Sequence, residues 1–229
     1  QMIMYGLSTS TDYSVKIITD DTSQEFKEVT LAGEDPVIVA YTENSRLYDP
    51  VRTSTCTVRI VCDEYLLDIY TGEAQGTKII VEDLSSGLVR WCGYLQTNMY
   101  SQGYSAPVEE IELEASDCLS SLQYFEYESD SNRVVDFKSV TDSIMTRCGL
   151  IQHYYVTAKE MHDGNERSEM TLDKMYISER NFFSEEGEAW TLQEVLEETC
   201  KFFGFVCFQW GDSVYFIDYD KYTGTVMNG

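Results

Sequence analysis

Residues 55–62, Thr-Cys-Thr-Val-Arg-Ile-Val-Cys, put Cys56, Val58, Ile60 and Cys62 on one side of an extended chain, and this period of two recurs through the first half of the sequence. A repeat of two buries one face of a strand and leaves the other for solvent or a second layer. Tyr13, Val15 and Ile17 share a face over 13–19, Phe26, Val29 and Leu31 lie in the next extended run, and Val37-Ile38-Val39-Ala40-Tyr41 is a short apolar strand. Segments 78–82, 88–95 and 110–115 bring the expected strands to seven. Gly, Asp and Ser clusters separate them over short spacings. That favours an antiparallel sandwich or barrel over a parallel sheet with crossover helices.

Two short helical pieces interrupt this region: Asp63 is placed to cap 64–70, and Asp117 to cap 118–123. Past residue 127 the pattern changes. A polar link at 128–132 leads to a helix over 140–148, with Ser139 as its cap and Gly149 as its stop, then to an extended run at 150–158. Residues 159–188 have no clear period and read as a long insertion or arm with a strand near 175–177. Thr191-Leu192-Gln193-Glu194 is a capping box, followed by Leu192, Val195, Leu196, Thr199, Phe202 and Phe203 on one expected helical face and by Gly204 at the C-terminal cap. Segments 205–210 and 213–219 flank Gly211-Asp212 as a two-residue hairpin. The expected fold is therefore α+β, predominantly antiparallel β and barrel- or sandwich-like. It carries two main helices and a C-terminal helix–hairpin. Residues 1–126 form a β-rich domain, and 127–229 form a helix–strand–arm–helix–hairpin domain open to continuation beyond.

Forty acidic against 16 basic side chains give a formal charge of −24. Duplex nucleic acid and anionic membrane surfaces both need clustered Lys and Arg, so neither is an expected partner. With 43% hydrophobic and 13% aromatic residues and three prolines, the chain has material for a core that offsets its conformational entropy. No stretch reads as a membrane span. The seven cysteines are odd in number, lack a C-x-x-C pair and mostly sit in apolar runs, so free buried thiols made in a reducing cytosol are expected.

Chemistry-bearing motifs are scarce. Gly103-Tyr104-Ser105-Ala106-Pro107 fails the nucleophile elbow at its last position, and there is no Walker loop. His153 lies in an apolar strand and His162 in a polar loop, nine residues apart, without a ligand pattern. Residues 126–132 alternate oxygen ligands like a calcium loop but lack its central glycine and bidentate glutamate. Seventeen tyrosines suggest stacking platforms for sugars, yet many alternate within strands, where tyrosine is an ordinary β-former. No catalytic residue, cofactor or metal ligand is assigned, and the chain is not expected to be an enzyme.

Several runs of residues resemble a known group. Gly33-Glu34-Asp35-Pro36-Val37 leads into a strand, and Leu47-Tyr48-Asp49-Pro50-Val51-Arg52 precedes Ser54-Thr55-Cys56-Thr57-Val58. Arg90-Trp91-Cys92-Gly93-Tyr94-Leu95, Glu112-Leu113-Glu114-Ala115-Ser116-Asp117-Cys118-Leu119, Asn181-Phe182-Phe183, residues 190–198 from Trp190, and Gln209-Trp210-Gly211-Asp212 follow. Together they resemble tail or baseplate-hub proteins of phages and prophages of gut Bacteroides-type bacteria, with Cys118 where glycine is expected. The resemblance implies a virion tail component, made in the host cytoplasm, built from β-barrel or sandwich domains and assembled with its own copies and other tail proteins around a channel. It implies no catalytic residues. On that reading an acidic wall suits a lumen that DNA slides through, with Glu110, Glu112 and Glu114 on one side of a strand as the channel face. The alternatives are a secreted or surface glycan-binding β-module of a gut bacterium and, third, a glycosidase using two of the many carboxylates.

Overall fold

A computed structural model describes residues 2–7, 13–19, 26–42, 49–62, 65–66, 69–96, 108–129, 133–150, 152–156, 160–163 and 166–218. The strands in chain order are β1 (Met2–Leu7), β2 (Tyr13–Thr19), β3 (Phe26–Leu31), β4 (Val37–Tyr41), β5 (Val51–Arg52), β6 (Ser54–Cys62), β7 (Thr77–Asp83), β8 (Val89–Leu95) and β9 (Glu109–Asp117). There follow β10 (Val134–Asp136), β11 (Gln152–Val156), β12 (Glu160–Asp163), β13 (Glu166–Met170), β14 (Tyr176–Ser178), β15 (Phe205–Trp210) and β16 (Ser213–Asp218). The helices are α1 (Phe137–Arg147), α2 (Thr171–Lys174) and α3 (Leu192–Phe203). The architecture is α+β and dominated by antiparallel strands.

Two compact units divide these elements. The first comprises Gln1–Thr42, Thr53–Ser121 and Trp210–Asp212. Its eight-stranded sheet runs β3-β1-β2-β7-β8-β9-β6-β4. β3 also meets β6 at Thr30–Val61 and Leu31–Ile60, so the sheet curls back on itself like a barrel. The period of two explains the packing: Val15, Ile17, Cys56, Val58, Ile60, Ile79, Val81, Ile111 and Leu113 all point inward around Trp91, Leu66 and Ile69. All seven expected strands are present, with ends shifted by two residues at most. β1 was not anticipated. It is held by pairing with β2 and, in parallel, with β3, contacts that a local pattern does not encode. Of the helix expected at 64–70, residues 64, 67 and 68 lie outside the described residues, while Tyr65, Leu66 and Tyr70 are not helical and Ile69 is in a 3₁₀ turn.

The second unit comprises Glu43–Arg52, Leu122–Gln209 and Ser213–Gly229. This unit therefore draws on 43–52 as well as on later residues, while 210–212 belong to the first unit. The main sheet of the second unit is β11-β16-β15-β5, with smaller pairs β10–β14 and β12–β13. α1 starts before the expected helix, and its cap is Asp136 rather than Ser139: the Asp136 carboxylate accepts from the Ser139 N–H at 2.7 Å. Pairing of β10 with β14 holds Asp136 extended, which is the backbone a cap needs. α3 has both halves of the Thr191–Glu194 capping box and ends on Gly204 in the left-handed region at φ 68°. Phe203 is buried and stacks on Phe205 with centroids 5.6 Å apart. Phe202, placed on the same face in the sequence reading, is instead 60% exposed and lies against Phe137, while Cys200 takes the buried position. Residues 159–188 hold β12, β13, α2, β14 and a 3₁₀ helix, Glu179–Phe182; elements this short display no period. Among the described residues, no helix is long and apolar enough to cross a membrane.

Candidate functional site

Alternation along β9 sets Ile111, Leu113 and Ala115 in the core and turns Glu110, Glu112 and Glu114 to the other face, the first two exposed and the third half-buried. The register places Arg59 of β6 opposite Glu112, and Arg59 Nε donates to Glu112 Oε1 at 2.7 Å. Hydrogen bonding to Glu112, aided by the charges of Glu110 and Asp35, raises the Arg59 pKa further above its usual value. The row is thus three carboxylates against one guanidinium, and the expected acidic face is partly neutralised at its centre.

The same strand ends in a different carboxylate. Asp117 is 1% exposed. Its Oδ2 accepts from the Ser54 N–H and hydroxyl, and its Oδ1 accepts from the Ser120 N–H at 2.9 Å and hydroxyl at 2.7 Å. Ser54 Oγ in turn accepts from Trp91 Nε1 at 3.0 Å. Burial raises the Asp117 pKa, and the four hydrogen bonds oppose that without cancelling it. Asp117 therefore joins β9 to β6 and β8 and caps the 3₁₀ helix Leu119–Tyr124. Cys118, at the glycine position of the resembling motif, is fully buried with its thiol toward the Cys92 carbonyl. Two glycines of the other motifs are demanded by space. A methyl at Gly93 would lie 2.1 Å from the Ser116 carbonyl oxygen, and one at Gly211, where φ is 62°, would lie 2.5 Å from that of Val89.

Glu179 organises the second unit and was not singled out in the sequence reading. It is 4% exposed, and it accepts from Tyr127 OH at 3.1 Å, Ser129 Oγ at 2.9 Å and the Arg133 N–H at 2.7 Å. Burial pushes its pKa up, but the Arg133, Ser129 and Tyr127 hydrogen bonds outweigh burial and leave it below the ordinary value. Tyr127 packs on Phe182 at 4.6 Å, its N–H donates to the Trp190 carbonyl, and the Leu192 N–H donates to that of Phe125. The 126–132 segment considered for calcium is thus tied down at Tyr127 and Ser129 by a protein carboxylate; 130–132 lie outside the described residues. The only sign of Glu179 in the sequence was its place just before Asn181-Phe182-Phe183.

Two further features have binding potential. On the four-stranded sheet, Tyr154, Tyr215 and Phe208 form one cross-strand row, with Arg52 paired to Phe208 at its end. Their centroids are 5.3 and 5.8 Å apart with planes within 26°, so neighbouring rings cover one another's faces. Behind them, His153 Nε2 pairs with Asp142 Oδ1 at 2.8 Å beside a pocket of about 310 Å³ lined by Met145, Thr146, Gly149 and Leu150. Thr146, the hydroxyl at that pocket, is committed to the Asp142 carbonyl.

All seven cysteines are buried without disulfide bonds, and burial pushes the Cys56 thiol up to about 12. Among the described residues no three His, Cys, Asp or Glu side chains converge as metal ligands. Compared with protein-family models and with curated proteins, the sequence matches none.

Proposed function

We propose that the chain is a structural component of a phage or prophage tail, hub- or baseplate-like, whose copies assemble around a channel and link tail tube to tip. The observation that carries this reading is the work done by the resembling residues. Gly93, Asp117, Cys118, Phe182, Gly211 and the Thr191–Glu194 box serve turns, caps and packing, as expected of a scaffold shared between structural proteins. The barrel-like sheet suits the domains such hubs are built from. The outward row Glu110, Glu112 and Glu114, even with Arg59 among it, repels phosphate over a Debye length of ~8 Å, which a wall that DNA slides past requires. Buried thiols agree with synthesis in host cytoplasm. Native mass spectrometry of the purified chain tests the proposal: closed rings of identical copies are expected. A strictly monomeric product at micromolar concentration, or tight salt-sensitive DNA binding, would overturn it.

The glycan-binding reading draws on the row of Tyr154, Tyr215 and Phe208. Sugar stacking needs an open ring face, and Tyr215 has a neighbour on each side. That geometry favours a cross-strand packing role.

A further inference from the structure

β4 is the last strand of the first unit's sheet, paired with β6 along one edge; among the described residues no strand pairs with its other edge. The register fixes which groups face outward. The Arg59 N–H donates to the Pro36 carbonyl and the Thr42 N–H to the Thr53 carbonyl, so residues 36, 38, 40 and 42 make the hydrogen-bonded pairs with β6. In an antiparallel ladder the alternate residues point away. Val37, Val39 and Tyr41 therefore present their N–H and C=O groups along the outer edge.

Exposed edges of this kind are ordinarily protected by Lys, Pro or a bulge. β4 has none of these within Val37-Ile38-Val39-Ala40-Tyr41. Ile38 is 40% exposed, and Tyr41, 50% exposed, stacks on Trp210, 58% exposed. β9, on the other side of β6, turns three glutamates outward. One sheet thus carries a charged flank and an uncharged, pairing-competent one.

We propose that the β4 edge is a strand-addition site for an extended segment of a different protein, with β-branched residues in its middle and Lys or Arg at both ends. Charge complementarity selects that chemistry. Glu34 and Asp35 precede the strand, Glu43 follows it in sequence, and Glu110 Oε1 reaches to within 3.9 Å of where a side chain at Gly33 would begin. A second copy fits less well: its β4 is preceded in sequence by the same Glu34 and Asp35 and followed by the same Glu43, so it brings no basic ends to match them. The main-chain ladder supplies affinity and the basic ends supply register, as in other strand-addition complexes. This inference stands whether or not the tail reading holds.

The test uses the full chain and three synthetic blocked peptides. These are Lys-Lys-Thr-Val-Thr-Val-Thr-Lys-Lys, the same core with glutamates at both ends, and the lysine peptide N-methylated at its five core amides. The lysine peptide is expected to slow amide exchange at Val37, Val39 and Tyr41 by about tenfold or more, with weaker binding as salt rises. The glutamate and N-methylated peptides should each bind at least about tenfold more weakly. Val39→Pro removes an outward N–H and no bond to β6, so the chain should stay folded and lose the protection. Binding unaffected by N-methylation or by Val39→Pro, or no protection at millimolar peptide, would overturn the proposal. So would concentration-dependent self-association abolished by Val39→Pro, which would make a second copy the occupant.

Discussion

Asp117 and Glu179 are both buried carboxylates, one in each unit, and both gather hydrogen bonds from backbone and side-chain donors. Their pKa values nevertheless move in opposite directions. Asp117 accepts four hydrogen bonds, two from N–H groups and two from serine hydroxyls, yet the loss of water on burial outweighs them. Glu179 accepts three, with the Arg133 charge added, and hydrogen bonding prevails over burial. The number of bonds does not decide the charge of a buried acid. What decides it is how the water lost on burial weighs against those bonds, and the Arg133 charge is only the smallest addition at Glu179.

The largest expected effect is at Asp117. Asp117→Ala leaves the Ser54 and Ser120 N–H groups unpaired in a dry site, at about 1–3 kcal/mol each, so a loss of about 3 kcal/mol in denaturant unfolding is expected. Faster amide exchange should be confined to the β6 start and the 119–124 turn. A loss under about 1 kcal/mol would mean that water takes the place of the carboxylate.

Glu179→Gln should cost less, about 1–2 kcal/mol, because the amide keeps one acceptor and the tyrosine hydroxyl can turn. The exposed signal is the Arg133 amide, whose exchange should quicken. An equal or larger loss than at Asp117 would break the comparison, since the better-compensated acid is also the one that leaves fewer donors behind.

Acid sharpens the contrast. Glu179 has a folded pKa below its ordinary 4.5, so its contribution is present above pH 4.5 and is lost as pH falls through the folded value. Asp117 has a folded pKa above its ordinary 3.8; its contribution is full below 3.8 and is lost as pH rises through the folded value. Unfolding curves of Glu179→Gln and Asp117→Asn between about pH 7 and about pH 2 should therefore diverge. The Glu179 variant should lose less stability toward acid than the native chain, and the Asp117 variant should lose more. Parallel curves would mean that the two acids share one environment.

The two sites also differ in how far the sequence announced them. Asp117 stood at the end of an alternating strand, ahead of Cys118 and Leu119, where an N-cap is the local expectation, and that local role holds. Its partners Ser54 and Trp91 are distant in sequence and connected only by the β6–β9 and β8–β9 registers, which no period encodes. Glu179 sits among 159–188, where every element is too short to repeat, and its donors come from a loop about fifty residues earlier. α3 was legible end to end because a capping box, an apolar face and a terminal glycine agree within a few turns. Phe202 marks the limit of that legibility. Its spacing from Leu192 and Val195 placed it with the buried face, but a helical stripe has edges, and Cys200 rather than Phe202 lies inside.

The smallest effect should come from an acid in the open. Glu112 is exposed, lies beside Glu110 and Glu114 on β9, and pairs with Arg59. Glu112→Gln removes the pair's Coulomb attraction, which for exposed partners is worth about 0–1 kcal/mol. It also relieves repulsion from two like charges on the same face, a term of similar size and opposite sign in water. Arg59 is not left without a counter-charge, because Glu110 and Asp35 both act on it. The amide still accepts through its carbonyl oxygen. A change within about 0.5 kcal/mol is therefore expected, shrinking further as salt screens both terms. The same substitution at the buried acids exchanges an acceptor for a donor where water cannot follow, and that asymmetry makes the exposed site the control. A loss at Glu112 above about 1 kcal/mol would show that the Arg59 pair fastens β6 to β9 in its own right, and the acidic row would then have to be read as a structural clasp rather than a charged face.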